Sequence, residues 1–133
     1  VIVPDASTVA LLFAVPGADP RRAAAAEVLH TDPDWVVPEH WRTEVLSAVR
    51  GLHLGGRLDR ERAVAAVGWL TRVTAAVAPT GPLLARMWQL HPNLSAYDAG
   101  YVAAAEAHDV TLVTADVRIA RAGVARCPVR VVG

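Results

Sequence analysis

Five short apolar runs, at residues 1–3, 35–37, 74–80, 110–114 and 129–132, alternate with segments of helical periodicity. This alternation constrains the fold more than any other feature of the chain. A strand that returns through a helix to a parallel neighbour does so with a right-handed crossover, so the pattern predicts an α/β fold: a mainly parallel central sheet with helices on both faces. No repeat, low-complexity tract or long linker interrupts the order, and 133 residues suit one core, so a single domain over residues 1–133 is expected. In open sheets of this kind, chemistry gathers outside the C-terminal ends of the strands. Asp5 follows the first run and Asp116 the fourth.

Local punctuation supports the reading. Pro4 is expected to break the first strand, with Asp5, Ala6 and Ser7 opening the apolar helix STVALLFAV. Asp19 and Pro20 suit the N-cap and first turn of a helix over 21–30. Pro38 stops the second strand. A helix over about 40–53 places Val45, Val49 and Leu52 on one face, and Gly55 and Gly56 end it. Asp59 can cap the helix RERAVAAVGWLTRV. Helices are further expected over 82–90, 95–107 and 116–122.

Each acidic residue at these junctions has a purely structural explanation. Asp5 and Asp116 stand where an N-cap is wanted, and Ser95-Ala96-Tyr97-Asp98 fits a capping box. Glu44 is harder to explain in that way. On a 3.6-residue period it lies beside the stripe of Trp41, Val45 and Ala48, and a glutamate so close to a core asks for a partner.

Composition removes several alternatives. Formal charge is zero, so no global basic field draws in nucleic acid, and any such contact must be local. All 13 cationic side chains are arginine, which excludes chemistry that needs a lysine. The histidines at 30, 40, 53, 91 and 108 lack zinc-ligand spacing, and lone Cys127 closes no intramolecular disulfide. No phosphate-binding glycine motif or nucleophile elbow is present. No apolar run approaches the ~20 residues needed to span a bilayer, and the first residues lack the pattern of a secretory signal, so a cytoplasmic location is expected.

VIVPDAS at the start, E-V-L-S-A at Glu44, S-A-Y-D-A-G-Y-V-A-A-A-E around Asp98 and L-V-T-A-D at Asp116 resemble the four signature stretches of PIN-domain nucleases. The likeness is closest to the VapC toxins of bacterial toxin–antitoxin pairs, and it runs from residue 1 to about residue 121. It implies a three-layer sandwich whose five-stranded, mainly parallel sheet is flanked by helices. It implies Asp5, Glu44, Asp98 and Asp116 as the acidic site, with Ser7 and Thr114 as hydroxyl-bearing accessories. It also implies RNA as substrate, with a tRNA or rRNA loop as the family expectation, a VapB-like antitoxin and a homodimer. Two departures stand out: Pro4 precedes the first aspartate, and Val117 follows the last, where relatives commonly carry a basic residue.

Phosphodiester hydrolysis needs an activated water and neutralised phosphoryl oxygens, and a carboxylate-held Mg²⁺ or Mn²⁺ can supply both. Asp5 and Asp98 are the expected direct ligands. Asp116 is a ligand or a supporting acid, and Glu44 orients the attacking water or holds a second ion. Arg42, Arg118 and Arg121 flank these segments and are candidates for RNA phosphates, with a solvated face as the alternative for each. Trp35, Trp41, Trp69 and Trp88 are read as core or interface anchors before base-stacking groups. Val64, Val67 and Trp69 exceed what a small core needs and suit a groove for a partner's helix. Two other readings stay open: a receiver-like phosphoacceptor domain, disfavoured because no lysine is present, and a degenerate PIN module that only binds.

Overall fold

A computed structural model describes residues 1–133, and the five apolar runs form five parallel strands. β1 (Ile2–Pro4) pairs with β4 (Thr111–Thr114), which pairs with β5 (Val129–Val131). β2 (Val36–Pro38) pairs with β3 (Ala76–Ala78). The expected single five-stranded sheet is therefore two ladders, of three strands and two. A lone bridge between Ile2 and Trp35 joins them, with the Ile2 N–H donating to the Asp34 carbonyl at 3.1 Å. Backbone direction alternates along a strand, so position 4 faces the same neighbour as position 2. Proline has no N–H to donate there, and the ladder toward β2 stops. Pro4 thus closes the strand from within instead of standing beyond it.

Helices fill both sides. α1 (Ala6–Ala10) runs into a 3₁₀ turn (Leu11–Phe13), so the first helix is shorter than STVALLFAV suggests. α2 (Arg21–Thr31) starts after Pro20, and Asp19 caps it at one remove by accepting the Arg21 N–H at 3.0 Å. α3 (Trp41–Leu54) ends at Gly55, and Gly56 takes φ +74°, which only glycine adopts without strain. α4 is Arg60–Arg72, α5 is Leu84–Leu90, α6 is Ala96–His108 and α7 is Val117–Ala122. No helix is long and apolar enough to cross a membrane.

The buried side chains form one continuous core. α6 lies deepest, with Ala99 and every residue from Tyr101 to Ala105 buried. On the other side an aromatic chain links Phe13, Trp69, Trp35 and Trp41 at centroid separations of 5.3, 6.1 and 6.1 Å. Three of the four tryptophans are thus core or near-core groups, while Trp88 is 70% exposed and stacks on His91. Asp59 caps α4 by accepting the Arg62 N–H at 2.8 Å. Asp59→Ala is therefore expected to cost about 1 kcal/mol, read from denaturant unfolding, without touching the site described next.

Candidate active site

Spatial strand order is β3-β2-β1-β4-β5, so the winding reverses between β1 and β4. Such a reversal opens a crevice at the strands' C-terminal ends. Asp5 leaves β1 and Asp116 follows β4 at this point, and the first turn of α6 brings Asp98 to the same edge.

Asp5 is almost fully enclosed. Its Oδ1 accepts from Ser7 Oγ at 2.7 Å and from the Thr8 N–H and Thr8 Oγ1 at 3.0 Å each, and its Oδ2 accepts from Thr114 Oγ1 at 2.5 Å. Asp5 thus both caps α1 and anchors a network. Ser7 Oγ accepts the Ala115 N–H at 3.1 Å, and Thr114 Oγ1 accepts the Asp116 N–H at 2.9 Å, so the ends of β1 and β4 are tied through this one carboxylate. Burial pushes the Asp5 carboxyl above its ordinary value, outweighing the hydrogen bonds from Thr114, Ser7 and Thr8 that favour its ionised form.

Asp116 accepts the Arg118 N–H at 2.9 Å as the cap of α7, and the Arg118 guanidinium folds back onto it at 2.7 Å. That arginine holds the Asp116 carboxyl below the usual range. Asp98 is half-buried. Its backbone N–H donates to Ser95 Oγ at 3.1 Å, but its carboxylate makes no return bond to the Ser95 N–H, so only half of the capping box forms. Burial, then the charges of Asp116 and Asp5 and also Glu44, raise its pKa. Glu44 projects from the first turn of α3, its Oε1 buried without a hydrogen-bond partner and 3.5 Å from His40 Nε2. A cleft of about 510 Å³ opens beside it, lined in part by Ala6, Ser7, His40, Thr43 and Tyr97.

The four acids therefore lie close enough for the other three to act on Asp98, yet no three of them are already drawn into a ligand shell. The donor set still suits a hard divalent cation: it is all carboxylate and hydroxyl oxygen, one buried Glu44 oxygen is unpartnered, and Asp98 carries a penalty that a cation would relieve. Asp5 Oδ2, bonded to Thr114 alone, keeps acceptor capacity for such an ion.

Not every expected residue comes to the cleft. The Arg42 guanidinium donates to the Leu70 and Val73 carbonyls at the end of α4 and lies over Trp41, so its donors serve a helix end. Arg118 serves Asp116, and Arg121 is exposed on α7. Conversely, Thr8, His40 and Tyr101 join the site without being among the expected residues. Thr8 stands within the expected apolar helix. Tyr101 stands three residues after Asp98 and His40 four before Glu44, spacings that put each pair on one helix face and could have marked both.

Residues 2–125 match the sequence profile of the PIN domain. The chain belongs to the PIN-domain family. Within it, the chain is 40% identical over 131 residues to the VapC ribonuclease Mb0985 of Mycobacterium bovis and to ribonuclease VapC9 of Mycobacterium tuberculosis, covering 98% of this chain and of each relative. Ribonuclease VapC1 of M. tuberculosis is 39% identical over 90 residues, 67% of this chain and 68% of the relative. Among solved structures, M. tuberculosis VapC20, described as a sarcin-ricin loop cleaving toxin, superposes with a TM-score of 0.66 at 21% identity, covering 92% of this chain and 95% of its own. FitAcB from Neisseria gonorrhoeae superposes at 0.65 and 18% identity, covering 98% and 96%. These two likenesses speak to the fold.

Proposed function

We propose that this chain is a Mg²⁺- or Mn²⁺-dependent endoribonuclease acting in the cytoplasm as the toxin of a toxin–antitoxin pair. The observation that carries the reading is the gathering of Asp5, Glu44, Asp98 and Asp116 at the β1/β4 crevice, where burial and then the charges of the other three acids raise the pKa of Asp98. Crowded like charges destabilise a fold unless a cation offsets them.

In this reading Asp5, Asp98 and Asp116 hold the ion. When bound, it lowers the pKa of a water and neutralises phosphoryl charge. Ser7, Thr8 and Thr114 fix the Asp5 carboxylate, and Arg118 fixes Asp116. Glu44 takes the proton on its carboxylate as water adds to phosphorus, and the bond to the leaving oxygen breaks with that oxygen taking a proton from solvent. RNA, in a tRNA or rRNA loop, is the substrate, recognised by shape as much as by sequence. Arg121 is the arginine left to meet a phosphate.

The partner reading rests on a groove between α3 and α4 of about 460 Å³, lined by Leu46, Val49, Ala63, Val64 and Val67 with Arg50 and Arg60 at its margin. A VapB-like antitoxin would lay an amphipathic segment there. Val64→Asp is expected to weaken antitoxin binding at least tenfold, measured by calorimetry, with RNA cleavage by the free protein unchanged. Leu84 and Trp88, exposed and four residues apart on α5, offer an apolar face for the second copy of a homodimer.

The deciding experiment incubates antitoxin-free protein with cellular RNA in Mg²⁺ or Mn²⁺ and in EDTA. Cleavage that stops in EDTA is expected. Cleavage undiminished by chelator would overturn the metal reading, and labelling of Asp5 by a small phosphodonor without any cleavage would favour a receiver-like domain instead.

A further inference from the structure

Two polar groups on the inner side of the cleft, the Tyr101 hydroxyl and Glu44 Oε1, are buried without completing their bonds. The Tyr101 side chain is only 2% exposed, so its hydroxyl has no water to turn to, yet it makes no hydrogen bond of normal geometry. The carboxylate it faces is Glu44, whose buried Oε1 is likewise unpartnered. An unpaired buried donor beside an unpaired buried acceptor is costly for both, and a small rotation that joins them removes the cost. Burial and then the Glu44 carboxylate push the Tyr101 phenol far above its ordinary value, so it remains an O–H donor at any working pH.

His40 closes the other side. Its Nε2 lies 3.1 Å from the Tyr97 carbonyl and 3.5 Å from Glu44 Oε1. Both are acceptors, so Nε2 carries the hydrogen. The ring stands edge-on to Tyr97 and Tyr101, at centroid distances of 5.3 and 5.1 Å. Beneath it is Gly100, within α6 and in ordinary helical conformation, where an added Cβ would collide with His40 Cε1. Glycine here makes room for the imidazole; no unusual backbone angle requires it.

We propose that Tyr101 and His40 are positioning residues for Glu44: the phenol O–H turns to the buried Oε1, the imidazole, its Nε2–H held by the Tyr97 carbonyl, packs 3.5 Å from the same oxygen, and together they fix how the carboxylate faces the cleft, with Gly100 the space that admits His40. The inference rests on the ribonuclease reading of the site. Tyr101 and His40 act on the reaction through the direction in which the Glu44 carboxylate points.

The test is a double-mutant cycle of Tyr101→Phe and Glu44→Ala, read twice: by single-turnover RNA cleavage in saturating Mg²⁺ and by denaturant unfolding. Phenylalanine removes one oxygen and keeps the ring, so the fold survives. Tyr101→Phe is expected to lower the single-turnover rate about tenfold with the half-saturating protein concentration unchanged; once Glu44 is alanine it should lower the rate no further and leave stability equal or higher, because the hydroxyl it removes has lost its acceptor. Gly100→Ala, which displaces His40, is expected to give a similar loss that vanishes in a His40→Ala background. Losses that multiply across the Tyr101–Glu44 cycle would make Tyr101 a packing residue and overturn the proposal. A wild type that cuts no RNA would sink the ribonuclease reading separately. In that event the unfolding cycle still decides whether Tyr101 and Glu44 are coupled, and its absence overturns the proposal on its own.

Discussion

Asp5→Asn is expected to lower RNA cleavage by about a hundred- to a thousandfold, the usual effect of removing one preorganised electrostatic element from an active site. The loss follows from the donors around that carboxylate. Ser7, Thr8 and Thr114 all present hydrogens to it, so an asparagine NH₂ at Oδ1 or Oδ2 meets donors on either side. The amide then turns or leaves donors unpaired, and the negative charge that would face a cation is gone. Folding is affected less, because the buried charge already carries a penalty that the neutral amide does not. Mn²⁺ affinity should fall in step with the rate. Glu39→Gln is the control: Glu39 is exposed and accepts the Thr80 N–H at 2.7 Å, a bond glutamine keeps, so cleavage should stay within about twofold. Equal losses from both substitutions would mean that the wrong acids have been assigned.

Asp98→Asn sets a metal site against a helix cap by the sign of a stability change. In the metal-free protein Asp98 has a raised pKa, caused by burial and then by Asp116, Asp5 and Glu44. A group that binds protons more tightly when folded adds stability as pH falls toward its raised value, and at pH 7 its charge counts against the fold. Metal-free Asp98→Asn should therefore be as stable as the wild type at pH 7, or more so. The cap from Ser95 survives, because it is made to the backbone N–H of residue 98, which asparagine retains.

The stabilisation gained on adding Mg²⁺ or Mn²⁺ should shrink in the same variant. A ligand at a hundred times its Kd contributes about 2.7 kcal/mol, and weaker binding lowers that figure logarithmically. A metal-free variant that is destabilised while keeping the full metal response would return Asp98 to a capping role. The wild type carries a related signature. Without metal, Asp5 and Asp98 favour acidification from neutrality toward the usual carboxylate range near 3.8. Asp116 and Glu106, held below their ordinary values of 3.8 and 4.5 by arginines, lose stability as pH falls below those values.

The succession of strands and helices was legible because each boundary has a local cause: Asp59 and Ser95 cap, Gly55 and Gly56 stop, and valine-rich runs extend. The break between the two ladders was not legible from strand propensity. It depends on which neighbour the missing Pro4 N–H faces, and that is known only once β1 lies between β2 and β4. In the site, Asp5 and Thr114 are 109 residues apart, and the resemblance of four stretches supplied what local pattern could not. Arg42 shows the opposite error. It sits two residues before Glu44, but two steps along a helix turn through about 200°, so closeness in sequence placed it on the opposite face. The parts played by Tyr101 and His40 have no local signature, because Tyr101 comes within reach of Glu44 only when the start of α6 meets His40 at the start of α3 in the folded chain.

The pairing of β1 with β4 also governs when the protein becomes dangerous during its own synthesis. The amino-terminal strand has its hydrogen-bonding partner only after more than a hundred further residues have left the ribosome, and contacts of such separation are slow to form. Until then Asp5 lacks Thr114 and Asp116 is not yet in the chain, so the proposed acid site cannot assemble. The α3–α4 hairpin, by contrast, is contiguous over residues 41–72 and can form from local contacts while the rest is still being made. If the antitoxin seats in that groove, it meets its surface before the nuclease possesses its blade.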